Sequence, residues 1–151
     1  MLNINRKAFS MIELVFVIVI LGILAAIAVP KFAATRTDAE ITKGRSDIAS
    51  IRTAIMNERQ GRLLKGDSDW INSLSAGTTT LFDGNGSSEL LMYGITSGTS
   101  TGHWKTTDNA FPYIHYDFII NNSNCSFTYD SSNGKFVLDA DQDAVCDNLV
   151  K

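Results

Sequence analysis

LVFVIVILGILAAIAV, residues 14–29, carries no polar side chain. Read back through Phe9, Ser10, Met11 and Ile12, the apolar run is interrupted by one charge, Glu13. A helix of roughly 20 residues, rising ~1.5 Å at each, spans a hydrocarbon core of about 30 Å. The β-branched residues would also suit a buried strand, but the length and continuity favour a membrane helix. Two simpler readings fail on particulars. A secretory signal peptide has a shorter apolar stretch followed by an A-x-A cleavage site. A plain signal-anchor accounts for the run and for Arg6 and Lys7 before it, but not for Glu13. An acid near the middle of a membrane helix is unfavourable by about 2.5–3.5 kcal/mol, less near its end, and such residues are usually functional and partnered.

Charge is segregated along the chain. Residues 31–65 hold eight basic side chains against four acids, whereas residues 66–151 hold three against eleven. A basic middle thus precedes an acidic C-terminal part, which bears on partners rather than on fold. The length of 151 residues allows one ordinary domain. Cys125 and Cys146 are the two cysteines. They fit one disulfide, Cys125–Cys146, if that part lies outside the cytoplasm, which the membrane segment favours; the alternative is two free thiols.

The stretch Lys7-Ala8-Phe9-Ser10-Met11-Ile12-Glu13-Leu14 resembles the processing site of type IV prepilins and type II secretion pseudopilins. The resemblance implies a short basic leader, cleavage by a prepilin peptidase between Ala8 and Phe9, and N-methylation of Phe9. Ala8 stands where that family usually has Gly. Glu13 matches the family's acid, and Pro30 matches a helix-bending proline at the end of the apolar run. The implied organisation is a leader over 1–8, a transmembrane helix over 9–30, an amphipathic helix over 31–61 and a globular head over 62–151. The implied fold is α+β and pilin-like: a long N-terminal helix packed on a small antiparallel sheet of three to four strands.

Beyond Pro30, Ile41, Ile48, Ile51 and Ile55 recur at spacings that place them on one helix face. This helix is expected to end near Gly61, with basic residues near its C-terminus, where they suit the macrodipole. Gly44 reads as a weak point. The basic residues read as a solvated face meeting the acidic heads of neighbouring subunits. The competing reading, a nucleic-acid stripe, lacks interleaved aromatics.

Residues 66–102 are rich in Gly, Ser and Thr and read as loop. Within them, Trp70, Ile71 and Leu74 suggest a short helix, and Leu90 to Tyr93 a short buried segment. Asp83-Gly-Asn-Gly is a turn signal, and no phosphate-loop lysine accompanies Gly94, Gly98 and Gly102. Strands are expected at Tyr113–Ile120, Cys125–Tyr129 and Lys135–Asp139. Asp130-Ser-Ser-Asn-Gly is expected to turn the last two into a hairpin.

Asp139, Asp141, Asp143 and Asp147 crowd the tail. Carboxylates at this density suit Ca²⁺, and some pseudopilins hold calcium in such a loop; the other reading is a solvated acidic turn. The loop lacks the EF-hand glycine and glutamate. His103 and His115 are far apart and have no catalytic motif around them. The chain therefore reads as a non-enzymatic filament subunit that inserts in the inner membrane with its head in the periplasm. It would then join a pilus or pseudopilus with like subunits through a membrane assembly platform. The alternatives are a DNA-binding minor pilin and an anchored protein that never polymerises.

Overall fold

The computed structural model describes residues 9–108 and 113–151. The chain divides into two compact units, Met1–Arg36 and Thr37–Lys151. Helix α1, Met11–Leu64, contributes to both. At its start the Ser10 carbonyl accepts the amides of Glu13 and Leu14. Glu13 in the first turn and Arg62 in the last complement the helix dipole. α1 ends past the expected boundary near Gly61. A helical glycine lowers stability by about 1 kcal/mol without stopping a helix. The stop comes where Gly66 adopts φ +83° and its amide reaches back to the Leu63 carbonyl.

In the second unit, Ile48, Ile51 and Ile55 are buried and Ile41 is partly so, as their spacing predicts. Full burial of one such side chain stabilises by roughly 1.5–3 kcal/mol. They share a core with an antiparallel sheet of order β3-β4-β5-β6: Trp104–Asp108, Tyr113–Ile120, Ser123–Asp130 and Lys135–Leu138. Alternation sets the inner face. Tyr116, Phe118 and Ile120 of β4 are buried, with Cys125, Phe127 and Tyr129 of β5 beside them. The predicted hairpin joins β5 to β6. The Asp130 carboxylate accepts the Ser132 hydroxyl and amide, which hold it below the usual carboxylate range.

The Gly/Ser/Thr-rich segment is more ordered than its composition suggests. It supplies two short paired strands, β1 (Thr80–Leu81) and β2 (Ile95–Thr96), and Trp104 begins β3. The Trp104 indole lies 5.4 Å from the Phe82 ring, 5.0 Å from Phe118 and 5.4 Å from Phe127. Phe82 is fully buried with φ +60°, and its amide is received by the Ser75 hydroxyl, which also meets the Tyr116 hydroxyl at 3.0 Å.

Two local expectations are corrected. Trp70, Ile71 and Leu74 form no helix, although Ile71 and Leu74 are fully buried. Side-chain hydrogen bonds compete with helix there: Asp67 accepts the Asp69 amide, and the Ser73 hydroxyl donates to the Ser75 carbonyl. Leu90 and Leu91 are partly buried, but Met92 and Tyr93 are 84% and 85% exposed.

Gly44 is a contact point rather than a weakness. A Cβ there would meet Leu149 Cδ2 at 2.6 Å and Phe118 Cε1 at 2.7 Å. Gly44→Ala gains about 1 kcal/mol of helix propensity. It also overpacks a site walled by a buried ring, which costs about 1–3 kcal/mol. A net loss of stability is expected in denaturant melts; a stabilised variant would refute this account.

Candidate functional site

Met11–Val29 is long and apolar enough to cross a membrane, with a mean hydropathy of 3.1, and none of it is buried within the chain. Its large side chains point outward all round the helix, among them Phe16, Ile20, Leu24 and Ile27. A helix apolar on every face is a buried or membrane helix, so its surroundings must be lipid or other apolar helices. Glu13 lies one turn into this surface and is exposed; no described residue hydrogen-bonds or ion-pairs with its carboxylate. Phe9 is 77% exposed just before α1. Ala8 and the leader lie outside the described residues. Pro30 lies inside α1, which stays helical through it.

The basic residues of the second half of α1 are engaged differently from expectation. Lys43 donates to the Gly102 carbonyl at 2.5 Å, Arg45 to Asn148 at 2.6 Å and Arg52 to Phe136 at 3.1 Å. Arg59 donates to the Ser68 carbonyl and stacks 4.8 Å over Trp70. Arg62 joins Glu58 at 2.7 Å and Asp67 at 3.0 Å. These cations bond to their own head, while Lys43, Arg45 and Arg52 stay exposed to solvent. The reason is that carbonyls at loop and strand ends need donors, and α1 is the element beside them. Arg52 also covers the outer edge of β6, which would otherwise present an unpaired carbonyl. Asp47 receives the Trp104 indole N–H at 3.0 Å. Burial pushes its carboxyl above the usual range, against the pull of that hydrogen bond and of Lys43.

Cys125 of β5 and Cys146 of α2 (Ala144–Asp147) form a disulfide, both fully buried. The four tail carboxylates do not gather. Asp139 accepts the Thr128 hydroxyl at 2.6 Å, Asp143 accepts Ser123 at 2.5 Å, Asp147 faces Lys151 at 3.4 Å, and Asp141 is exposed. Among the described residues, no three His, Cys, Asp or Glu side chains come together as a metal site. Asp139 and Asp143 each accept a hydroxyl, Asp139 also faces the His115 imidazole at 3.8 Å, and Asp147 faces an amine. Calorimetric titration of the second unit with Ca²⁺ is therefore expected to show no binding heat and no rise in melting temperature.

His103 is exposed in a loop, with Nδ1 3.2 Å from the Thr101 carbonyl. His115 sits on the outer face of β4, with Nδ1 3.0 Å from the Thr128 hydroxyl. The Thr128 hydroxyl donates to Asp139, and His115 Nδ1 itself lies 3.8 Å from the Asp139 carboxylate; a proton relay needs the hydroxyl proton directed to the imidazole instead. A groove of about 690 Å³ runs along Thr53 and Asn57 of α1 and the Leu90–Met92 segment. It carries Glu58 and Glu89 but no nucleophile paired with a base.

The apolar, outward-facing helix with one early acid and the helix-backed antiparallel sheet make the α+β architecture that the sequence resemblance implies. Comparison with known proteins agrees: residues 3–29 match the prokaryotic N-terminal methylation motif. The chain is similar to a fimbrial protein of Pseudomonas aeruginosa, with 29% identity over 62% of this chain and 64% of the relative. It is also similar to the type IV major fimbrial protein FimA of Dichelobacter nodosus, with 40% identity over 33% of this chain and 32% of the relative. The type II secretion system core protein G of Pseudomonas aeruginosa is 40% identical over 34% of this chain and 36% of its own length. The match thus spans less than two thirds of each relative. No solved structure matches.

Proposed function

We propose that this protein is a structural subunit of a type IV pilus-like or type II secretion pseudopilus filament. The observation that carries this is the Met11–Val29 helix, apolar on every face and unburied within its own chain, with Glu13 one turn from its start. A prepilin peptidase removes residues 1–8, leaving Phe9 as a methylated, positively charged N-terminus. Before assembly the helix spans the inner membrane once, with the disulfide-bonded head in the periplasm. Apolar helices then pack as the filament core, and Glu13 of one subunit pairs with the Phe9 amine of the next. Opposite charges in such a low-dielectric core attract strongly, and an unpaired one is penalised, so the pairing sets axial register. Pro30 serves as the bending point of the helix. The protein performs no catalysis of its own; force comes from assembly machinery elsewhere. The engagement of Lys43, Arg45, Arg52 and Arg59 by the head's own carbonyls favours this structural role over a DNA-binding one.

The test is processing. Co-expression with a prepilin peptidase is expected to yield a chain whose first residue, by intact mass and terminal sequencing, is N-methyl-Phe9. A mature chain that still begins at Met1 would refute the reading.

A further inference from the structure

Met92 and Tyr93 are adjacent, large and almost fully exposed at a loop tip, 84% and 85%, with the exposed Glu89 just before them. Two such side chains presented together are unusual on a solvated surface. Tyr and Met are enriched at interface cores, and buried aromatic anchors carry much of the binding energy there. On another flank of the same head, Met56 of α1 and Val137 of β6 are 51% and 45% exposed. They line a groove of about 260 Å³ that is almost wholly apolar, with Arg52 and Lys135 beside them. One flank is therefore an apolar knob beside an acid, and the other an apolar slot beside two cations.

The flanks are distinct surfaces. Met92 borders the α1 face that holds Thr53 and Asn57, while the slot borders the face that holds Arg52 and Met56. About 100° separates successive residues of a helix, so these positions look out in different directions. A surface that complements another part of the same molecule, and not itself, makes a heterologous contact, which builds a ring where the rotation closes and an open helical assembly where it does not.

We infer that the occupant of the Met56–Val137 slot is the Met92–Tyr93 tip of a second copy of this chain, with Glu89 placed toward Lys135. The inference deepens the filament reading and rests on it. It adds a head-to-head contact of defined residues to the helix core. The charge pair acts mainly on specificity and register, while the apolar tip supplies the attachment.

The chain has no free cysteine among its described residues, so introduced thiols report unambiguously. Full-length Tyr93→Cys and Val137→Cys chains are co-expressed in cells that make filaments, then oxidised. The mixed pair is expected to give dimers, and the doubly substituted chain a ladder of higher multimers, with neither single variant cross-linking to itself. Unsubstituted filaments in which the mixed pair gives no cross-link would overturn the contact. Self-cross-linking of Tyr93→Cys alone would overturn its heterologous geometry. If the unsubstituted chain makes no filaments, the filament reading fails by itself; the mixed pair is then read in membranes, where absence of cross-linking overturns the contact too. As a second arm, Glu89→Lys is expected to lower filament yield several-fold and Lys135→Glu in the same chain to restore it. Full yield from Glu89→Lys alone would remove the charge pair from the proposal.

Discussion

Replacing Glu13 by valine is expected to leave the chain in the membrane and to abolish its incorporation into filaments. The two effects separate because they have different physical origins. Removing the carboxylate relieves an insertion penalty of roughly 2.5–3.5 kcal/mol at most, so membrane integration improves or is unchanged. In the proposed filament core the same change would strand the Phe9 amine among apolar helices. Losing one partner of a buried pair typically costs about 3–5 kcal/mol, at least a hundredfold in the affinity of each subunit contact. A filament repeats that loss at every subunit. Glu13→Gln should fall between, since an amide accepts a hydrogen bond without balancing the charge. The measurements are sodium carbonate extraction for insertion and the sheared-filament fraction for assembly. Wild-type filament yield from Glu13→Val would eliminate the pairing role.

The second large effect belongs to the head. Converting Cys125 and Cys146 together to serine is expected to lower its stability by about 3 kcal/mol, the loop-closure value for a separation of 21 residues. Both sulfurs are fully buried, so two hydroxyls also replace apolar contact. For a unit of this size the fall in melting temperature is roughly 10 °C. The loss should concentrate in the last turn of chain. Cys146 tethers α2, and Leu149 packs within reach of Gly44 and Phe118. Thermal melts of the double variant, and of the unsubstituted head with and without reductant, check this. Equal melting temperatures in all three would show that packing alone holds the tail.

Elements with a strong period are legible in the sequence. The apolar run marks the first part of α1, and the isoleucine spacing marks the face that α1 buries. Alternating β-branched and aromatic residues mark β4, β5 and β6, and Asp130-Ser-Ser-Asn-Gly their hairpin. The expected Cys125–Cys146 bond is present. Residues 66–104 are not legible in this way. Their short pieces have too few residues to show a period, and distant partners hold them: Tyr129 donates to the Ile71 carbonyl at 2.7 Å, and Ser75 bridges Phe82 and Tyr116. Composition marks this stretch as loop, yet it delivers Phe82 and Trp104 to the centre of the core.

The apolar stretch 14–29 by itself determined that this protein has a helix needing lipid or other helices around it, because hydrophobicity and length are properties of a segment alone. Glu13 and its offset from Phe9 belong with it, since spacing along a chain survives without a fold. Only the tertiary structure decided that the cations of α1 bind their own head, that the tail carboxylates stay apart, and that Met92 and Tyr93 face outward. Each of these depends on which groups meet across long separations in sequence, and a carboxylate or guanidinium takes its role from the partner the fold brings within about 3 Å.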